Sequence, residues 1–237
     1  MLAEAGGVTS ASGVRMLPSN CTDIAFDIGS NNGKDAERFL KSGFCVLTVD
    51  ANPEMYNTTV ARVATYAPRY LAINVGLTEH EPGHLTFYTT RTKVHSSFDR
   101  KKALLHDRRP REIRVPTMRC ESLWSRVVRQ PHIVKIDIEE LHYVCVEALA
   151  RLAPEQRPRY VTWEMHSFAR DQPFPVVDAG LISLMAQLKY SRLKIVSNSN
   201  FGRRRGSGDS SAGRPERVKD VTTRSSEWRP VAEVCDT

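Results

Sequence analysis

The chain has 237 residues, of which 41% are hydrophobic and 26% are charged, and its formal net charge is +7 at pH 7. This size and composition are typical of a soluble globular protein whose core needs no metal or disulfide. No apolar run approaches the ~20 residues of a membrane-spanning helix, so we predict no membrane span in this chain.

The first twenty residues are rich in small side chains. They lack a basic start followed by a continuous apolar segment, so we predict a flexible tail over 1–20 and not a signal peptide, while a transit peptide or a clipped anchor stays open. A single domain is expected to follow over 21–237.

Short apolar runs then alternate with longer amphipathic segments. In the first half we predict strands at 23–28, 45–49 and 70–77 and helices at 34–42 and 53–66. After an insertion we predict strands at 132–138, 160–165 and 193–197 and helices at 141–152 and 176–190. Runs such as IVKIDI are apolar on both faces, as in strands covered by helices on each side. The alternation predicts an α/β domain with a doubly wound, mostly parallel, Rossmann-like sheet.

Two polar segments interrupt this alternation. An insertion at about 91–119 holds ten lysines and arginines against three acids, and a Gly/Ser/Arg-rich loop lies at about 199–215. The basic insertion could attract phosphates or an acidic partner, although such charge runs are more often simply solvated. The last apolar run, PVAEV at 230–234, is expected to pair antiparallel with the strand at 193–197.

The five cysteines are scattered and form no C-x-x-C pair. This favours reduced thiols over a disulfide framework or a zinc site. The compartment stays open on this evidence, with the cytoplasm favoured. Two glycosylation sequons begin at Asn20 and Asn57, and they matter only if the chain is secreted.

The loop after the first predicted strand reads DIGSNNG. In an open parallel sheet it would lie at the carboxyl edge, where ligands bind. Its glycines do not match the G-x-G-x-x-G of a dinucleotide site, and Lys34 is not placed as a Walker lysine. Asp50 ends the next predicted strand, where an acid accepts hydrogen bonds from ribose hydroxyls. The two features predict a nucleoside ligand without a pyrophosphate cradle, and S-adenosylmethionine fits that description.

Four segments in this order resemble the FkbM-type S-adenosylmethionine-dependent methyltransferases. They are FDIGSNNG, VDANP, KIDIEELHYVCVEAL and WEMH, which are similar to the family's D-x-G-x-N-x-G, acid-x-N-P, K-x-D-x-E-G-x-E and E-x-H. The resemblance covers 23–166 and implies a class I methyltransferase fold and O-methylation of a hydroxyl on a small molecule or glycan. Glu140 and His142 stand where the family usually has Gly and Glu, which bears on the acceptor site and on activity.

Carried over residue by residue, the resemblance implies a cofactor site and adjacent catalytic groups. The expected contacts of S-adenosylmethionine are Asp27, Gly29, Ser30, Asn31, Gly33, Asp50, Ala51 and Asn52. The catalytic candidates, each at or just after the end of a predicted strand, are Asp137, Glu139, Glu164 and His166.

His166 is the first choice for the catalytic base, because an imidazole titrates near neutrality. The alternative is a structural histidine that is only hydrogen-bonded. Asp137 is expected to hold the cofactor's amino group or to orient the acceptor. The four candidates together could collect a divalent cation. Since no helical i, i+4 ligand spacing is present, we predict no metal site.

Three functions stay open at this point. An O-methyltransferase with a small-molecule or glycan acceptor, which could be acidic, is favoured by the resemblance. A nucleic-acid methyltransferase is motivated by the isoelectric point of about 9.3 and the basic insertion, although the sequence contains no recognised RNA or DNA module. A non-catalytic S-adenosylmethionine-binding homologue is motivated by Glu140 and His142. Within the insertion, His95-Ser-Ser97 is a candidate lid over the acceptor.

Overall fold

The computed structural model describes residues 2–163, 179–193 and 229–230. The chain forms two compact units, Met1–Pro175 and Val176–Thr237. Strands of the first unit are β1 (Ala3–Gly6), β2 (Val8–Thr9), β3 (Arg15–Met16), β4 (Ile24–Ile28), β5 (Cys45–Asp50), β6 (Tyr70–Asn74), β7 (Gly76–Thr78), β8 (Gly83–Thr89), β9 (Arg111–Arg119), β10 (Ile133–Ile136) and β11 (Tyr160–Trp163). Its helices are α1 (Lys34–Lys41), α2 (Pro53–Val63), α3 (Arg100–His106) and α4 (His142–Arg151).

The first unit is built on a mixed six-stranded sheet in the order β1-β6-β5-β4-β10-β11. The pairings from β6 to β11 are parallel, and β1 runs antiparallel to β6. Every residue of β4 and of β6 is buried, and β5 is buried up to Asp50. Helix α1 packs on β4 and β5, and α2 packs on β5 and β6. The burial of these strands agrees with the continuous apolar runs that predict them.

The basic insertion is folded. Strand β9 pairs with β8 antiparallel and with β7 parallel, and the three strands form a second sheet. The run predicted as one strand over 70–77 is therefore divided between two sheets. Gly76 opens the second part, where a Cβ would overlap the ring of Phe98. Helix α3 lies between β8 and β9 in the chain and packs on β8.

The predicted flexible tail over 1–20 is wrong for most of its length. Residues of β1 pair with β6, and the N–H of Gly7 donates to the carbonyl oxygen of Tyr70 at 2.6 Å. The backbone turns at Gly6 and Gly7, which both have positive φ, and Leu17 is buried. An edge strand as short as AEAG carries too little apolar pattern to be recognised.

The prediction of reduced thiols is also wrong for four of the five cysteines. Disulfides join Cys21 to Cys45 and Cys120 to Cys145. The partners lie 24 and 25 residues apart, so the fold and not a local motif brings them together. Cys235 lies outside the described residues.

In the second unit, the described residues form helix α5 (Ala179–Gln187) and an antiparallel pair of two-residue strands, β12 (Arg192–Leu193) and β13 (Arg229–Pro230). The Gly/Ser/Arg-rich loop at 199–215 and most of the run at 230–234 lie outside the described residues. The single domain over 21–237 stays a prediction, as does helix coverage of both sheet faces. No helix in the described ranges has both the length and the apolarity to cross a membrane.

Candidate functional site

The glycine loop leaves β4, passes the carboxyl edge of the sheet and enters α1. Gly29 has φ +81°, and a Cβ there would overlap the carbonyl oxygen of Asp137. Gly33 has φ +73°, and a Cβ there would lie 2.9 Å from the Cα of Thr59. Both positions combine left-handed backbone with a close approach, so only glycine fits without displacing a neighbour.

Asp50 connects this loop to the start of α2. Its Oδ2 accepts a hydrogen bond from the N–H of Asn31 at 2.7 Å, and its Oδ1 accepts one from the N–H of Asn52 at 2.8 Å. Burial raises the pKa of Asp50 to about 7, although the two backbone donors act in the opposite direction. Each carboxylate oxygen has a second lone pair, so the group can still accept hydroxyl donors from a ligand.

A cluster of charged groups, one lysine and three aspartates, lies beside the glycine loop. The Nζ of Lys135 is 3.2 Å from Oδ1 of Asp27, 3.4 Å from Oδ2 of Asp35 and 3.1 Å from Oδ2 of Asp137. Burial acts to lower the pKa of Lys135, but the three carboxylates outweigh it and hold that pKa above its usual range. Burial also raises the pKa of Asp27, against the attraction of Lys135. Three acids around one ammonium make this region attractive to a cationic ligand.

A cavity of about 340 Å³ opens at the carboxyl edge of the sheet. The ends of β5 and β10 form one side, and a loop of the insertion at 93–98 forms another. Val75, Leu77 and Phe87 add apolar lining. A second cavity, of about 240 Å³, is lined by Ser30, Lys135 and other residues around the glycine loop. Both are formed by described residues of the first unit.

The insertion loop is held in place at both ends. Backbone hydrogen bonds join Tyr88 and Ser97 at 2.9 and 3.1 Å. Asp107 accepts hydrogen bonds from the N–H groups of Arg91 and Arg109, and these bonds hold the pKa of its carboxyl below the usual value. The Nζ of Lys93 lies 2.5 Å from Oε2 of Glu54, which ties the loop to α2.

His95 projects from this loop and lines the larger cavity. Its ring stacks on that of His106 in α3, with 3.9 Å between centroids and 21° between planes. Its Nδ1 lies 3.9 Å from Oε1 of Glu139. The sequence indicated His95 only as part of a lid. Its contact with Glu139 depends on how the insertion folds, and no sequence motif predicts that fold.

Glu139 begins a short 3-10 turn, Glu139–Leu141, and has φ +52°. Such backbone is uncommon for a residue with a side chain and is found mostly where the surroundings hold it. The Nδ1 of His142 lies 2.8 Å from the carbonyl oxygen of Glu139. His142, which departs from the family's motif, therefore stabilises this turn.

The structure brings most of the predicted residues together. Those lining the larger cavity are Gly29, Asn31, Asp50, Ala51, Asn52, Asp137 and Glu139. Ser30 lines the second cavity instead. Asp27 and Gly33 line neither, because Asp27 is buried against Lys135 and Gly33 faces Thr59.

Glu164 and His166 lie outside the described residues, so their catalytic roles stay predictions. Among the residues that the structure describes, no group of three or more His, Cys, Asp or Glu side chains is placed to hold a metal ion. A metal site that used Glu164 or His166 would fall outside this statement.

Comparison with known proteins adds one finding. The sequence model of a protein family described as "Methyltransferase FkbM domain" matches residues 27–192, more than two thirds of the chain. The match spans the glycine loop, Asp50, the insertion and the turn at Glu139, and it confirms the resemblance found from the four motifs. That family implies a class I methyltransferase fold, with which the mixed six-stranded sheet agrees. No curated protein and no solved structure shows a significant match.

Proposed function

Because the chain belongs to the FkbM methyltransferase family, we propose that it transfers the methyl group of S-adenosylmethionine to a hydroxyl of a small molecule or glycan. The observation that carries the proposal is the position of Asp50. Its carboxylate joins the glycine loop to α2 at the wall of the cavity and retains lone pairs for ribose hydroxyls.

The residues present fit the cofactor in two further respects. Nδ2 of Asn52 is buried and has no hydrogen-bond partner among the described residues, although buried amides are normally paired. The excess of carboxylates around Lys135 suits a ligand with a positive sulfonium and a positive amino group. We assign Asp50 to the ribose and Asp137 to the amino group.

S-adenosylmethionine supplies a methyl group that is already activated by the sulfonium. The protein then needs to hold the acceptor oxygen in line, to exclude water and to take the hydroxyl proton. The loop at 93–98 covers the cavity beside Asp137 and Glu139, which supports a role in acceptor binding. Val94 and Phe98 of this loop line the cavity and suit an acceptor with an apolar portion.

Isothermal titration calorimetry with S-adenosylmethionine and with its demethylated product, S-adenosylhomocysteine, tests the proposal. We expect one site per chain with a micromolar Kd. Asp50→Asn should weaken binding at least ~10-fold, because hydrogen bonds to a charged group are each worth ~1.5–3 kcal/mol. Asp23→Asn is the matched control, since that carboxylate is exposed and lies outside the cavity. Absence of binding at high micromolar ligand would remove the proposal.

The nucleic-acid alternative has less support in the structure. Arg91 pairs with Asp107, and Lys93 and Arg111 both pair with Glu54, so part of the insertion's charge is neutralised within the chain. A gel-shift assay that finds salt-sensitive binding to RNA or DNA would revive it.

A further inference from the structure

We propose that His95 is the general base of methyl transfer and that Glu139 orients its imidazole ring. This inference rests on the proposed function, because it assigns the group that takes the proton from the acceptor hydroxyl. It departs from the sequence-based choice of His166. The residues involved belong to the described insertion loop, α3, the turn at Glu139–Leu141 and the start of α4.

The contact with Glu139 distinguishes the two ring nitrogens of His95. Nδ1 faces Oε1 of Glu139 at 3.9 Å, an ion-pair distance longer than a hydrogen bond. Catalytic hydrogen bonds are often this loose before substrate binds, and they shorten in the complex. A carboxylate beside Nδ1 favours the tautomer with its proton on Nδ1. Nε2 is then the nitrogen with a lone pair that can accept the proton of an acceptor hydroxyl.

The ring of His95 is held from two sides. On one side, the His106 ring stacks at 3.9 Å and restricts rotation of the imidazole. On the other, His142 holds the carbonyl oxygen of Glu139 at 2.8 Å and so maintains the left-handed backbone of that residue. His142 is therefore a positioning residue in this arrangement. The change from the family's Glu does not argue for a loss of activity.

The loop backbone that carries His95 is equally constrained. The hydroxyl of Ser96 accepts a hydrogen bond from the N–H of Thr90 and donates one to the carbonyl oxygen of Lys93. Lys93 has φ +64° and pairs with Glu54. The side chain of His95 is 43% exposed, which leaves it accessible to an acceptor entering from solvent.

The other ionisable groups of the cavity are engaged elsewhere. Asp50 accepts two backbone N–H groups, and Asp137 lies 3.1 Å from the Nζ of Lys135. A carboxylate paired with an ammonium is a weak base at neutral pH, whereas an imidazole is matched to proton transfer near neutrality.

The charged and titratable groups around His95 come from its own loop and from three other elements. Glu139 of the 3-10 turn and His106 of α3 contact the ring. Lys93 adds a charge on the same loop, where Glu54 of α2 pairs with it. The carboxylate of Glu139 is therefore the group placed to stabilise a protonated His95 ring.

The proposed methyl transfer needs no reactant other than S-adenosylmethionine, the acceptor hydroxyl and water. The acceptor hydroxyl gives its proton to Nε2 of His95 while its oxygen forms the new bond to the methyl carbon. The electron pair of the broken carbon–sulfur bond stays on sulfur. The imidazolium, stabilised by Glu139, later returns the proton to water.

The first test does not depend on activity. Long-range ¹H–¹⁵N NMR of the unliganded protein, with His95→Gln to assign the signal, reports which ring nitrogen carries the proton. We expect the proton on Nδ1 in wild type, and Glu139→Gln should reduce that preference. A ring protonated only on Nε2, with a spectrum unchanged by Glu139→Gln, would overturn the proposal.

The second test measures methyl transfer from labelled S-adenosylmethionine into a metabolite pool, together with binding of S-adenosylhomocysteine. His95→Gln should lower kcat at least ~100-fold and leave the Kd of S-adenosylhomocysteine within about twofold. Glu139→Gln should also lower kcat, because the imidazolium loses its stabilising charge. His84→Gln is the control, since His84 is exposed on β8 and outside the cavity.

The possible outcomes distinguish the role of His95 from the proposed function. If wild type binds neither cofactor form, the proposed function fails, and the NMR result still decides the orientation of His95. If wild type transfers methyl groups and His95→Gln retains kcat within about threefold, the role of His95 is refuted and the function stands. Loss of kcat in His166→Gln, with kcat retained in His95→Gln, would likewise refute the role of His95.

Discussion

Cofactor binding should weaken as the pH falls below 7, because Asp50 must be ionised to accept two ribose hydroxyls. The experiment changes the pH from 7.0 to 5.5 at constant ionic strength. In the unliganded protein burial raises the pKa of Asp50 to about 7, so half of the molecules are already protonated there at pH 7. Hydroxyl donors from the ligand favour the charged form, and protonation competes with binding.

The size of the effect follows from the fraction of Asp50 that is ionised. With a pKa of about 7, this fraction falls from about one half at pH 7.0 to about one thirtieth at pH 5.5, so Kd should rise roughly 15-fold, or about 1.6 kcal/mol. The amino and carboxyl groups of S-adenosylhomocysteine keep their charges across this window. Titration calorimetry at four pH values measures the trend, and binding at pH 6.5 should release protons to the buffer.

Ionisation of Asp50 lowers the folding stability of the unliganded protein, although it favours cofactor binding. The pKa of Asp50 is raised above the unfolded value, so its contribution to folding is fully present below pH ~4 and is lost as the pH rises through about 7. Unliganded protein should therefore lose stability from this group over the range in which binding improves.

Asp50→Asn should give weak binding that is flat between pH 5.5 and 7.0. Asp27 also has a raised pKa, so Asp27→Asn checks that its titration is not responsible. A constant Kd in wild type, or an unchanged pH dependence in Asp50→Asn, would show that Asp50 does not control binding through its charge.

The geometry of the first unit leads to three more expected outcomes. Gly29→Ala should abolish measurable cofactor binding and lower Tm, because the added Cβ would meet the carbonyl oxygen of Asp137 at a left-handed position; wild-type affinity would contradict this. Glu54→Gln removes the partner of Lys93 and should raise the Kd for S-adenosylhomocysteine by no more than about fivefold, since exposed ion pairs contribute ~0–1 kcal/mol. Thiol titration of unfolded, unreduced protein should find one reactive cysteine out of five. In the chain-entropy model, reduction of each disulfide should lower the free energy of unfolding by about 3.5 kcal/mol. Five reactive thiols would contradict the disulfide pairs.

The disulfides also bear on the compartment. Such bonds persist in oxidising environments and are rare in the cytosol. Cys21, Cys45, Cys120 and Cys145 are all buried, so these bonds form part of the core. This weighs against the cytoplasm, which the scattered cysteines of the sequence favoured. The exposed sequon asparagines, Asn20 and Asn57, gain relevance in an oxidising compartment.

Local patterns were sufficient to predict the central parallel strands and the glycine turn that follows β4. The strands β4, β5 and β6 are apolar almost throughout because they are buried on both faces. A run of only five or six apolar residues is enough to reveal such a strand in the sequence. The glycines of DIGSNNG reflect backbone at φ +81° and +73°, which the residue type itself signals. Asp50 could be placed because the end of a parallel strand fixes where its side chain lies.

The features that the sequence did not reveal depend on contacts between distant segments. The cysteine pairs close loops of about 25 residues, and β1 gains its stability from pairing with β6, far along the chain. The approach of His95 to Glu139 depends on the fold of the whole insertion. Contacts of this kind between distant segments leave no periodicity or motif in the sequence of either segment.

A crystal structure with S-adenosylhomocysteine would show directly whether the cavity beside Asp50 is the cofactor site. We expect both ribose hydroxyls within about 2.5–3.0 Å of the carboxylate oxygens of Asp50, the amino group beside Asp137, and the sulfur in the cavity covered by the loop at 93–98. A ligand bound elsewhere on the chain, or no bound ligand in crystals grown at millimolar concentration, would contradict this assignment.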